Sequence, residues 1–401
     1  MPNTLYYLWL QCALGISPAL RTQEILAAFP GGAREIFGAG DYERRVAGVF
    51  TNMQLSRLRG TPLAQAESIL EECARQNAHI LSPQDAEYPA RLLEIPSFPL
   101  ALYARGSLDC LRDTLPLAIV GTRRASSKSV DICARLSADL VRAGCAVVSG
   151  GALGIDSAAH WGVLHAGGRT VAVLGCGLDI NYPAENAALF KRIAEHGAVV
   201  SEYPFGMAPL GKNFPIRNRL ISGMSVGTVV IEAGVKSGSL RTAACAAEQG
   251  RDVFAVPGDA FGTTYTGGNM LIRDGAKPVF SAMDILEEYE LIYPELLDMR
   301  RAERDLERES VKPEQVAVKK KPVGAAAPSR PQTETQPPPA PSSLSPLESK
   351  IMQLLANGPM HIDRIMKEAG APYGELFAAL MNLELQAGIQ QAPGKMYDAS
   401  R

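Results

Sequence analysis

The chain lacks paired cysteines: its seven (Cys12, Cys73, Cys110, Cys133, Cys145, Cys176, Cys245) are odd in number, scattered, and never spaced as Cys-x-x-Cys. That spacing excludes a local zinc site and points to free thiols in a reducing compartment. Charge imbalance is missing too, with 40 Lys and Arg against 42 Asp and Glu, so any affinity for a polyanion must come from local clustering of cations. No apolar run approaches the roughly 18 residues of a membrane span. Residues 5–14 are apolar, but no Lys or Arg precedes them and the first basic residue is Arg21, which argues against a secretory signal. The chain is expected to be cytoplasmic, with no membrane contact and no cofactor. Catalytic signatures are equally scarce, since there is no Gly-x-Ser-x-Gly elbow, no Gly-x-x-x-x-Gly-Lys-Ser/Thr loop and no histidine pair at metal-ligand spacing.

What the chain does have is a rhythm that changes along its 401 residues. Residues 1–81 carry helical spacing (Leu5, Leu8, Trp9, Cys12; Ile25, Leu26, Phe29; Leu63, Ile69, Leu70), broken by Gly15, Pro18, Pro30-Gly31-Gly32 and Gly60-Thr61-Pro62. This predicts a small all-helical domain. Residues 82–309 hold short apolar strands alternating with helices, the pattern of a doubly wound, mainly parallel α/β sheet. The strands predicted are 117–120, 146–149, 170–174, 198–201, 227–231 and 252–256, with an additional strand at 100–103. Their near-continuous apolar character fits strands covered on both faces.

Residues 310–345 are rich in Pro, Ala, Gln and Lys, including Lys319-Lys320-Lys321 and Pro337-Pro338-Pro339-Ala340-Pro341, and read as a disordered linker. Residues 346–401 read as three helices (Leu347, Ile351, Leu354, Leu355; Ile362, Ile365, Met366; Leu376, Phe377, Leu380, Leu383, Leu385) and a hairpin turning at Pro393-Gly394, the outline of a winged helix. Its third helix carries Glu375 and Glu384 and no Lys or Arg, which favours a protein-contact or structural role over reading a DNA groove.

Chemistry concentrates in the glycine-bearing turns between strands and helices. Gly121-Thr122-Arg123 follows the first strand, Ser149-Gly150-Gly151 with Gly154-Ile155-Asp156 follows the second, and Ser237-Gly238-Ser239 precedes a late helix. Small residues free backbone N–H groups to face an anion, and arginine supplies a two-pronged phosphate contact. Lys212-Asn213-Phe214-Pro215-Ile216-Arg217-Asn218-Arg219 gathers three cations, one aromatic ring and no acid, the pairing single-stranded nucleic acid uses. His160 reads as a packed helix histidine, and Cys176 shows no local sign of nucleophile activation. Glu232 ends an apolar strand where catalytic carboxylates lie in open α/β sheets, yet no partner is tied to it by spacing.

These motifs, together with Val171-Ala172-Val173-Leu174-Gly175-Cys176-Gly177-Leu178-Asp179, Tyr182-Pro183, Ser201-Glu202-Tyr203-Pro204, Gly250-Arg251-Asp252-Val253-Phe254-Ala255-Val256-Pro257-Gly258 and Gly268-Asn269, resemble the DprA (Smf) family in order across the central domain. The resemblance implies an extended Rossmann-like core that forms a homodimer, an N-terminal domain similar to sterile-alpha-motif folds, and a C-terminal winged helix. It implies binding of single-stranded DNA and loading of the RecA recombinase in natural transformation and recombination, without catalysis. Carried over, the DNA-binding set is Gly121, Arg123, Ser149, Gly150, Gly151, Lys212, Phe214, Arg217, Asn218, Arg219, Ser237, Gly238 and Ser239. Some relatives carry lysine after Tyr-Pro; Ala184 stands here, and Lys212 is the candidate substitute. The rival reading is a nucleotide N-glycosidase using Glu232, although the Pro-Gly-Gly-x-Gly-Thr-x-x-Glu signature of such enzymes is missing. A third is a scaffold with an inert pocket.

Overall fold

The structure, a computed structural model, describes residues 3–304 apart from 18, 261 and 302, and residues 345–399 apart from 357, 372–374, 377–378, 381–382, 384–388 and 393–395. The two stretches fall in separate compact units, Met1–Val316 and Ala317–Arg401. The linker expected at 310–345, with Lys319-Lys320-Lys321 and the proline run, lies outside the described residues except for Ser345.

Six helices open the chain: α1 (Asn3–Leu14), α2 (Thr22–Ala28), α3 (Gly32–Gly38), α4 (Asp41–Val46), α5 (Asn52–Gly60) and α6 (Leu63–Arg75). Helix α1 is the axis of this part. Leu5, Tyr6, Tyr7, Leu8, Trp9 and Leu10 are buried in succession, so the apolar run that imitates a signal segment is a helix covered all round. Trp9 donates its indole N–H to the Thr61 carbonyl at 2.9 Å. Arg44 caps the end of α3 by donating to the carbonyls of Ile36 (2.9 Å) and Phe37 (2.8 Å).

Strands β1 (His79–Leu81) and β2 (Leu102–Gly106) pair antiparallel, with β1 at the sheet edge and β2 joined antiparallel on its other side to the strand Ala198–Ser201. The strand expected at 100–103 is therefore real but shifted toward Gly106. Between them and beyond run α7 (Cys110–Asp113), β3 (Leu115–Val120), α8 (Ser127–Arg142), β4 (Cys145–Ser149), α9 (Ile155–His165), β5 (Thr170–Leu174), α10 (Ala187–His196), β6 (Ala198–Ser201), α11 (Asn213–Gly223), β7 (Gly227–Val230), α12 (Ser239–Glu248), β8 (Asp252–Ala255), α13 (Thr266–Arg273), β9 (Lys277–Pro278) and α14 (Met283–Leu286). The sheet order is β1-β2-β6-β5-β4-β3-β7-β8-β9, parallel from β6 to β9. Every residue of β3, β4, β5, β6 and β7 is buried, which is why these strands read as unbroken apolar runs.

One core is continuous from α1 (Leu8, Leu10) through Tyr103 to β5 (Ala172, Leu174) and α10 (Phe190, Ile193), so the helical part packs directly on the sheet domain. After β3 the chain winds to β4, β5 and β6 on one side, then returns to place β7 on the other side of β3. That reversal opens a crevice at the strand carboxyl ends.

In the second unit, helices Pro346–Leu355 and Ile362–Ala369 pack around Ile351, Leu355 and Ile365, with Leu376, Leu380 and Leu383 of the third helical stretch buried beside them. Strands β10 (Met360–His361), β11 (Ile389–Ala392) and β12 (Met396–Ala399) pair in the order β10-β12-β11. Phe377, Glu384, Leu385 and the Pro393-Gly394 turn lie outside the described residues. No described helix is long and apolar enough to cross a membrane.

Candidate nucleic-acid interface

The chain leaves β3 at Gly121, where an added Cβ would lie 2.5 Å from Ile155. The Thr122 N–H donates to the Glu232 carbonyl at 2.8 Å, and Ser126 caps α8 by accepting from the Ser129 N–H at 3.2 Å. Both the N–H and the hydroxyl of Ser126 donate to Glu232 Oε2, at 3.0 and 3.2 Å. Glu232 is 1% exposed and is a strut that fixes this loop, leaving Arg123 exposed above it.

The second loop turns its polar groups inward. Ser149 donates its hydroxyl to the Ile119 carbonyl at 2.6 Å, the Gly150 carbonyl accepts from Arg217 at 2.8 Å, and the Gly151 carbonyl accepts from Asn186 at 2.9 Å. A Cβ on Gly150 would stand 2.7 Å from Asp156 Oδ2 and 2.8 Å from the Arg217 guanidinium. Gly154 has φ +81°, and a Cβ there would meet the Thr122 carbonyl at 2.4 Å, so the two loops touch only because it is glycine. Asp156 lies in the first turn of α9, and its carboxylate accepts from the Ala152 N–H at 3.3 Å rather than capping from outside the helix. Burial pushes its pKa up, and the Arg217 charge opposes that shift.

Helix α11 sorts its residues by face. Phe214, Arg217, Asn218 and Ile221, at the i, i+3, i+4, i+7 spacing, line a cavity of about 620 Å3 together with Gly121, Arg123, Asp156, Tyr182, Lys236, Ser237, Gly238, Ser239 and Arg241. Arg219, two residues after Arg217, points the other way, because a two-residue step is more than half a turn of helix. Its Nη2 meets both carboxylate oxygens of Glu202, at 2.7 and 2.6 Å, with Arg219 5% and Glu202 4% exposed. Burial raises the Glu202 pKa and Arg219 counters it; the two short bonds identify a charged pair.

Arg217 is buried and donates to the carbonyls of Gly150 and Val173. Burial lowers its pKa to about 10, with Asp156 acting in the opposite sense. The Phe214 ring is the centre of the cavity wall: Arg123 lies 5.1 Å and Arg217 5.9 Å from its centroid, and the Tyr182 ring is 5.5 Å away, tilted by 39°. Opposite, Ser237 and Ser239 share a 2.7 Å hydrogen bond at the start of α12, whose N-terminus opens onto the cavity.

The structure thus brings together Gly121, Arg123, Phe214, Arg217, Asn218, Ser237, Gly238 and Ser239. It does not bring Ser149, Gly150, Gly151 or Arg219 to the cavity wall: the Ser149 hydroxyl and the Gly150 and Gly151 carbonyls hold the loops, and Arg219 Nη2 is paired with Glu202. Lys212 sits at the rim of a different cavity. Tyr182, Lys236 and Arg241 were missed: the two cations flank the Ser-Gly-Ser turn and were readable there, while Tyr182 is 32 residues from Phe214 and only the fold makes them neighbours. Among the described lining residues, Arg123, Arg217, Lys236 and Arg241 face one carboxylate, Asp156.

The remaining candidates have other roles. His160 is fully buried; since the Thr170 hydroxyl donates to the Val147 carbonyl at 2.7 Å, His160 Nδ1 must donate to Thr170, at 2.8 Å. Burial lowers its pKa to about 3. Burial pushes the Cys176 thiol up to about 11, which keeps it protonated. No group of three potential metal ligands occurs among the described residues.

Residues 79–290 match the family described as DNA recombination-mediator protein A, and residues 335–395 match the DprA winged helix domain. The chain is 38% identical over 333 residues to Protein Smf of Synechocystis sp., covering 82% of each. It is 44% identical over 207 residues to DNA processing protein DprA of Streptococcus pneumoniae, spanning 51% of this chain and 71% of the relative. The X-ray structure of the Streptococcus pneumoniae protein superposes with a TM-score of 0.62 at 34% identity, covering 72% of this chain and 98% of that one.

Proposed function

Because the chain belongs to the DNA recombination-mediator protein A family, we propose that its crevice binds single-stranded DNA and that the protein loads RecA recombinase onto the bound strand in recombination and natural transformation. The observation that carries the binding step is the cavity wall in which four cations and one buried carboxylate surround the Phe214 and Tyr182 rings. Phosphates need the cations and exposed bases need the rings; a duplex would use the cations alone. Gly121, Arg123, Phe214, Asn218, Ser237, Gly238, Ser239, Lys236, Arg241 and Tyr182 form the proposed contact set, with Arg217 buried beside Phe214 and adding its charge to the wall. Ser149, Gly150, Gly151 and Arg219 support it.

Catalysis is not part of the proposal. Glu232, the base the glycosidase reading requires, is outside the cavity wall and its Oε2 is held by Ser126. A homodimer is proposed from the family resemblance, and the 80% exposed Phe280 offers an apolar ring for a second copy.

A band-shift titration of single-stranded against duplex DNA at two salt concentrations tests binding; equal affinity for both would contradict it. RecA filament growth on single-stranded DNA, with and without the protein, tests loading. Release of free base from a nucleoside monophosphate that disappears in Glu232→Gln would reinstate the enzyme.

A further inference from the structure

A second cavity, of about 550 Å3, lies between α1, α6 and the segment that leads into α11. It shares a wall with the first. Pro209 and Gly211 line the cationic cavity, whereas their neighbours Leu210 and Lys212 line the second one. Helix α11 continues the division, with Phe214 and Arg217 on one side and Asn213 and Ile216 on the other. The two cavities are therefore back to back across a partition one chain thick.

The chemistry of the second cavity is that of a nucleobase slot. Half-buried Ile16, Ile69 and Ile216 and the 44% exposed Leu210 supply apolar surface, Gln65 puts an amide at the rim, and Lys212 is the charged group among the described lining residues. No described lining residue is acidic, and residues 203–224 contain no Asp or Glu at all, so a polyanion crossing the partition meets no like charge. An apolar cleft with a few polar groups at its edge is the usual form of a small-ligand site, and its position one chain's thickness from the cationic cavity says what reaches it.

Resting on the single-stranded DNA reading above, we propose that a strand longer than the first cavity crosses the Pro209–Lys212 partition and places a base between α6 and α11, with Lys212 taking the adjoining phosphate. The N-terminal helices then form one wall of the DNA path, and occupancy depends on strand length.

Oligothymidylates from about 4 to about 16 nucleotides, the range of site sizes of single-strand-binding barrels, test this by fluorescence anisotropy. Affinity should rise in a step with length, by about tenfold for one docked base. Lys212→Ala, an exposed change that leaves folding intact, and Ile69→Trp, which fills the slot, should each reduce that step and leave the shortest oligomers unaffected. An oligomer carrying 5-iododeoxyuridine at one end should crosslink on irradiation to peptides containing Leu210 or Ile69. A length step that survives both variants, or crosslinks confined to other peptides, overturns the second slot while Arg123→Ala still weakens every oligomer and the first site stands. If no oligomer binds and Arg123→Ala changes nothing, both proposals fall together.

Discussion

Removing Arg123 should change how binding responds to salt by a calculable amount. Three cations of the cavity wall are exposed, Arg123, Lys236 and Arg241, whereas Arg217 is 4% exposed and already bonded to two carbonyls. Each neutralised phosphate of a single strand contributes about 0.7 to the slope of log K against log salt, so three contacts give a slope of about −2.1. Going from about 50 to about 200 mM salt then weakens wild-type binding about 18-fold. Arg123→Ala leaves two contacts and a slope of about −1.4, which weakens binding only about 7-fold over the same interval. Fluorescence anisotropy with an oligothymidylate at four or more salt concentrations measures both slopes. Arg112→Ala is the control, since that exposed arginine belongs to α7, which precedes β3, at the end of the sheet opposite the cavity. An unchanged slope for Arg123→Ala, or an equal change for Arg112→Ala, would refute the assignment of phosphate contact to this site.

Phe214→Ala should lower single-strand affinity by about 5- to 150-fold, the worth of one stacked base, while leaving the salt slope unchanged in the same titration. Glu202→Ala strands the Arg219 guanidinium, whose Nε and Nη1 already lack partners, and should cost about 3–5 kcal/mol in urea unfolding. His160 takes up a proton near its ordinary pKa when unfolded but only near 3 when buried, so its contribution to stability is full above pH 6.5 and is lost as pH falls toward 3. The stability gap between wild type and His160→Gln should accordingly narrow by about 2 kcal/mol between pH 6.5 and 5, read by urea unfolding at the two values.

The parallel strands were legible because burial on both faces demands an apolar residue at each position, and the structure moves their ends by only one or two residues. Strand β2 was displaced in the reading because its last residues, Arg105 and Gly106, are half-buried and carry no apolar signal. In the site, the Phe214 and Arg217 pairing was legible from local spacing. The same spacing turns Arg219 to the other face, but its buried partner there, Glu202, stands 17 positions earlier and helix spacing cannot connect the two. Ser149 and Gly150 resemble an anion nest in sequence, yet Ile119 and Arg217, from other elements, engage the Ser149 hydroxyl and the Gly150 carbonyl, and neither residue lines the cavity.

The sequence by itself determined which stretches become strand and helix, where the glycine turns fall, and that cations and an aromatic ring gather at the start of α11, because these depend on burial periodicity and backbone freedom within a few residues. Only the tertiary structure decided which cations stay free for a ligand. The order of the strands brings Glu202 to Arg219, Gly150 to Arg217, and Lys236 and Arg241 to Arg123 across long separations in the chain. A charge is available to a ligand only if no buried partner claims it first.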